Sequence, residues 1–148
     1  RPAAERGPKE SRHRGRESAV QMLYQWEVGR DSMVEVRQTF WTGPASEDAM
    51  PEANRTFATA LADGVVAHVA EIDPIITEAA EHWRIERMSV MDRLILRLAV
   101  YEFLKQPETP ARVIINEALE LARTFSNDDA VRFINGILDA IRKKLERE

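Results

Sequence analysis

The sequence predicts an all-α protein of about seven helices, packed as a compact bundle of two small helical halves. Three observations lead there. Apolar residues recur at helical spacing in each long stretch. Ser, Asp or Thr, often with Pro, stands where a helix should begin. No segment alternates apolar and polar residues between turn signals, as a half-buried strand would. No repeat with a period of about 20–50 residues is evident, which sets a solenoid aside. With 148 residues, 44% of them hydrophobic, the chain is long enough to bury a core.

The elements follow in order. Residues 1–10 mix two prolines and a glycine with charges, and predict a disordered basic N-terminal arm. Residues 11–148 then form one helical domain. The first helix starts near Ser11, and Ala19, Met22, Leu23 and Trp26 make its core stripe. Gly29 ends it and Asp31 starts a short helix to Phe40. Gly43, Pro44, Ser46 and Pro51 mark a loop. A third helix runs from Pro51 to Ile72, with Phe57, Leu61, Val65, His68 and Ile72 inward. Asp73-Pro74 predicts a new helix, Asp as N-cap and Pro at its first position, ending near Trp83. Ser89 and Asp92 resemble a capping box and open a helix to Lys105 that is apolar almost all round, apart from a strip through Arg93 and Arg97. Such a helix belongs at the centre of a bundle. Thr109-Pro110 starts a helix with the stripe Ile114, Ala118, Leu121 and Phe125. Ser126-Asn127 breaks it, and the last helix carries Ile134, Ile137, Leu138, Ile141 and Leu145.

Several function classes find no support. The absence of cysteine removes disulfides and Cys-based zinc sites. No run of ~18 apolar residues predicts a membrane span. The charged N-terminus has no apolar signal-peptide core, although the chain begins at Arg1 rather than Met, so the native start is expected upstream. His13, His68 and His82 are dispersed, and the spacing of His82 from Glu78 offers only two metal ligands. His68 sits on an apolar stripe and fits a core histidine. No nucleophile elbow, phosphate loop or dinucleotide fingerprint is present. Asn116, Glu117, Glu120 and Arg123 fit a solvated face with charge pairs. The expectation is no catalytic residue, no cofactor and no metal.

Binding is a different matter. The net charge is −4, yet Arg1, Arg6, Lys9, Arg12, Arg14 and Arg16 face only Glu5 and Glu10 over the first sixteen residues. A basic stretch on an acidic body can meet phosphates, or can be a solvated tail. Tyr24 lies off the core stripe, on a flank with His13, Glu17 and Val20. There it either stacks an unpaired base beside the arginines or packs on a neighbouring helix. In the last helix, Phe133 lies about 100° from the core stripe beside Asp129 and Gly136. A mid-helix glycine costs ~1 kcal/mol relative to alanine, so Gly136 implies either close helix packing or a shallow surface where a partner or nucleotide sits.

Three stretches add a resemblance. They are Arg14-Gly-Arg-Glu-Ser-Ala-Val-Gln-Met-Leu-Tyr-Gln-Trp26, Asp92-Arg-Leu-Ile-Leu-Arg-Leu-Ala-Val-Tyr-Glu102, and Val113-Ile-Ile-Asn-Glu-Ala-Leu-Glu-Leu-Ala-Arg-Thr-Phe125, continuing to Phe133-Ile-Asn-Gly-Ile-Leu-Asp139. In this order and spacing the chain resembles the NusB family of transcription antitermination factors, nearly throughout and least from about Asp31 to Glu52. The resemblance implies a cytoplasmic, non-enzymatic protein that binds single-stranded boxA RNA together with NusE, a small-subunit ribosomal protein. With RNA polymerase and other Nus factors it would suppress premature termination in ribosomal RNA transcription and assist rRNA maturation. It implies RNA contacts at Arg12, Arg14, Arg16, Tyr24, Phe125, Asp129 and Phe133, and a NusE-facing role for Asp92. Phe125 also lies on the core stripe. His13 and Gly15 interrupt a basic run that is denser in the family. Monomer and homodimer both stay open. Two other readings compete: a protein-binding domain that has lost RNA binding, and a helical appendage of an RNA methyltransferase, for which this chain has no methyl-donor motif.

Overall fold

The structure is a computed structural model that describes residues 8–42, 50–81 and 84–148, with side chains from Ser11 onward. Residues 1–7 of the expected arm, the loop residues Gly43, Pro44 and Ser46, and His82 and Trp83 lie outside the described residues. Among those described, every regular element is helical: α1 (Pro8–Glu27), α2 (Met33–Thr39), a 3₁₀ turn (Phe40–Thr42), α3 (Glu52–Ala79), a second 3₁₀ turn (Ile85–Arg87), α4 (Val90–Lys105), α5 (Ala111–Phe125) and α6 (Asp128–Lys144). The chain divides into two compact units, one up to Val66 and one from Ala67.

In the first unit, α1 begins at Pro8, three residues ahead of Ser11. Proline suits a first helical turn, whose N–H groups have no partner to lose. The expected stripe is inside: Ala19, Met22 and Leu23 are buried, and Val20 joins them, while Trp26 is half-buried. Gly29 stands just past the end of α1, but not through a left-handed backbone. A Cβ there would lie 2.6 Å from the Gln25 carbonyl oxygen, and the left-handed residue is Arg30, at φ 59°. Ser32, not Asp31, caps α2. Its hydroxyl accepts from the Glu35 N–H at 3.2 Å while the Glu35 carboxylate accepts from the Ser32 N–H at 3.4 Å, which closes a reciprocal box.

The largest departure from the sequence expectation is α3. Where Asp73-Pro74 predicts a break, one helix runs from Glu52 to Ala79 with Pro74 inside it. Two facts account for this. Pro74 and Ala70, whose carbonyl loses its helical donor, are both exposed, so water can replace the missing bond. The Asp73 carboxylate is engaged elsewhere: it accepts from Arg97 Nε and Nη2, both at 2.8 Å. Merging two expected helices gives six α-helices among the described residues.

In the second unit α4 is the buried centre, contacting both α5 and α6. Seven consecutive residues, Leu94 to Val100, are buried. Arg97 is among them and is neutralised by Asp73 in a two-pronged pair. Ser89 caps α4, accepting from the Asp92 N–H at 3.2 Å. Asp92 does not reciprocate as a capping box would. Its carboxylate instead accepts from the Ser126 hydroxyl at 2.9 Å. Asn127 caps α6 by accepting from the Ala130 N–H at 2.8 Å. The C-terminus is tied down by Arg147, which donates to the carbonyl oxygens of Phe103, Gln106 and Thr109 at 2.8–2.9 Å.

Candidate nucleic-acid interface

The candidate residues fall into two groups, one in each unit. On α1, Arg12 and Arg16 are four residues apart and therefore share a face, while Arg14 points away from it. Both guanidinium groups of the pair lie over the Phe57 ring, at 5.3 Å for Arg12 and 5.5 Å for Arg16. Arg12 is exposed and Arg14 half-buried, but Arg16 is only 3% exposed. In the free chain Arg16 is therefore packed against Phe57 inside the unit, whereas Arg12 reaches the surface. Gly15, which interrupts the basic run, has a structural cause. A Cβ at Gly15 would stand 2.7 Å from Phe57 Cδ2, closer than van der Waals contact permits, so no other residue lets the ring sit there. His13 and Glu17 pair along the same helix at 3.9 Å. Tyr24 is 43% exposed.

In the second unit the Ser126 and Asn127 break brings residues together that the sequence could only name separately. Asp92, Asp129 and Phe133 line one open cleft of about 270 Å³, together with Arg87, Met88 and Asn127. Asp92 fixes Ser126, Asn127 starts α6, and α6 then presents Asp129 and Phe133 from its first two turns. Asp129 also pairs with Arg132. Phe125 ends α5 half-buried and is not among the cleft's lining residues. The cleft combines an aromatic ring, a thioether, carboxylate acceptors, an amide and one guanidinium. Aromatic stacking with hydrogen bonds to a base edge is how unpaired nucleotides are held. The residue initially assigned to a protein partner, Asp92, and two of those assigned to RNA thus share one surface. Arg87 and Met88 were missed because nothing in their spacing marks them; only the turn before α4 carries them to α6.

Gly136 faces open space: a Cβ there would meet no atom within 4 Å. Close helix packing, one of its two readings, is therefore excluded within the described residues. Among these residues no group of three or more His, Cys, Asp or Glu could hold a metal ion, and no helix is long and apolar enough to cross a membrane.

Comparison with known proteins places these features in a family. The NusB family model matches residues 13–143. The transcription antitermination protein NusB of Koribacter versatilis strain Ellin345 is 45% identical over 138 residues, spanning 93% of this chain and 92% of that protein. The structure of T. maritima NusB superposes with a TM-score of 0.77 at 32% identity, covering 90% of this chain and 91% of the other. A crystal structure of the antitermination factors NusB and NusE in complex with double-stranded RNA contains a chain that matches with a TM-score of 0.81 at 25% identity, over 91% of this chain and 98% of that one.

Proposed function

We propose, from the premise that this chain belongs to the NusB family, that it is a non-enzymatic, RNA-binding transcription antitermination factor that works with NusE. The observation that carries the reading is family membership across nearly the whole chain, from residue 13 to 143, which takes in both groups of candidate residues apart from Arg12. The geometry supports it. An exposed Arg12 and an exposed Tyr24 on α1 suit a phosphate and an unpaired base, and the Phe133 cleft suits a second base. The family resemblance implies a single-stranded RNA of boxA type, and splayed bases are what stacking rings read. RNA polymerase and other Nus factors complete the assembly in the cytoplasm, where the protein also assists rRNA maturation.

The charge balance fits a partnered mechanism. A short basic stretch meets few phosphates and gives modest, mildly salt-dependent affinity, so a basic partner on the acidic body supplies the remaining contacts. The test is fluorescence anisotropy of a labelled boxA-type RNA against a scrambled one, titrated with the protein alone and with NusE. Selective binding that tightens with NusE supports the reading. Equal binding of both RNAs in the presence of NusE overturns it, and binding unchanged by deletion of residues 1–16 removes the arginines of α1 from the RNA surface.

A further inference from the structure

We infer that Phe57 is a positioning residue for RNA binding: its ring is a pedestal on which Arg12 is held ready for a phosphate. The inference rests on the RNA-binding reading above and deepens it. Arg12 and Arg16, one helical turn apart, both direct their guanidinium groups over the one ring. A flat, delocalised and weakly hydrated guanidinium is well suited to that face. The ring in turn is seated against α1 at Gly15, where an added Cβ would stand 2.7 Å from Phe57 Cδ2.

The two arginines divide the work. Arg16 is 3% exposed and secures the ring from inside. Arg12 is exposed and keeps its outer edge available. A free arginine loses rotamer freedom when it closes on a phosphate, and one already held on a ring has lost part of it in advance. Gly15 therefore does more than interrupt a basic run. It trades one side chain for a seated aromatic ring that orders two others.

The test uses the full chain with a labelled single-stranded RNA and four substitutions: Arg12→Ala, Phe57→Leu, Phe57→Tyr and Gly15→Ala. Phe57→Leu keeps an apolar contact but has no face, and is expected to weaken RNA binding roughly three- to fivefold, the size of an exposed cation–π contact. Phe57→Tyr restores the face and should bind within about twofold of the wild type. Gly15→Ala removes no charged or aromatic side chain but displaces the ring, and should weaken RNA binding even though alanine favours a helix. Arg12→Ala should lower the salt slope by about 0.7, the value of one single-strand phosphate contact. Its effect should be smaller in the Phe57→Leu background, because coupled residues are not additive.

A readout without RNA separates the parts. The Arg12 δ-methylene protons should show a ring-current shift in the wild type that collapses in Phe57→Leu. An unchanged shift overturns the pedestal whatever RNA does. Intact wild-type RNA binding with Phe57→Leu equal to wild type, or strictly additive losses with Arg12→Ala, overturns the proposal alone. Failure of the wild-type protein with NusE to bind RNA overturns the functional reading and the proposal with it.

Discussion

Asp73 separates two accounts of the middle of the chain. As an N-cap it would be interchangeable with Asn or Ser, which cap equally well, so Asp73→Asn would change stability by about 0 kcal/mol. As the partner of Arg97 it is not interchangeable. The Arg97 side chain is 8% exposed and that of Asp73 24%, and the contact is two-pronged. Removing one member of a buried ion pair costs about 3–5 kcal/mol because it strands the other charge. Partial access of water to Asp73 places this pair at or below the bottom of that range, at about 2–3 kcal/mol. For a chain of this size that corresponds to a fall in Tm of roughly 5–10 °C. The assay is urea denaturation of wild type and Asp73→Asn, followed by far-UV circular dichroism and repeated in molar salt, where a shielded pair keeps most of its effect. A midpoint in Asp73→Asn indistinguishable from wild type would refute the reasoning and return Asp73 to a capping role.

Three further outcomes are expected. Gly136→Ala has room for its methyl group and gains helix propensity, so it should stabilise the isolated chain by about 0.5–1 kcal/mol; thermal melts check this, and a lowered Tm would mean the face is not open. Arg147→Ala abandons three carbonyl oxygens and should cost about 2–3 kcal/mol, less than the sum of three charge-assisted bonds because they are coupled; faster amide exchange around the α4–α5 turn would accompany it, and unchanged exchange would count against the tie. The Asp139 carboxylate is held below its usual 3.8, first by the hydrogen bond from Lys143 and then by that from Arg142. Its folded value being depressed, the contribution is present above the unfolded value and lost as pH falls through the folded one; an NMR titration should place its midpoint below 3.8, and a midpoint at or above that value contradicts the pairing.

The features legible in the sequence were those with a local cause. The stripes Ala19–Met22–Leu23 and Ile134–Ile137–Leu138–Ile141 are buried as their spacing requires, and the nearly uniform apolar surface of α4 put it at the centre. The features that were not legible share a different cause. Asp73-Pro74 carries the local signature of a helix start, but Arg97, 24 residues away, claims the carboxylate. The three arginines of α1 looked alike in sequence and are not alike in the structure, because Phe57 draws Arg12 and Arg16 to one side and buries Arg16. Gly15 and Gly136 pose the same question in sequence and answer it oppositely. One admits a ring from a distant residue, and the other faces open space. The cleft was half legible: Asp92, Asp129 and Phe133 were named, but their meeting with Arg87 and Met88 depends on how the turn before α4 approaches α6.

The central claim is antitermination, and the most direct measurement is transcription read-through in vitro. Purified RNA polymerase would transcribe a template carrying a boxA element ahead of a terminator, with the other Nus factors present and this protein and NusE added singly and together. The account predicts that read-through rises only when both are added, and that it falls back when boxA is scrambled. Read-through unchanged by the pair, or raised equally on the scrambled template, would contradict it.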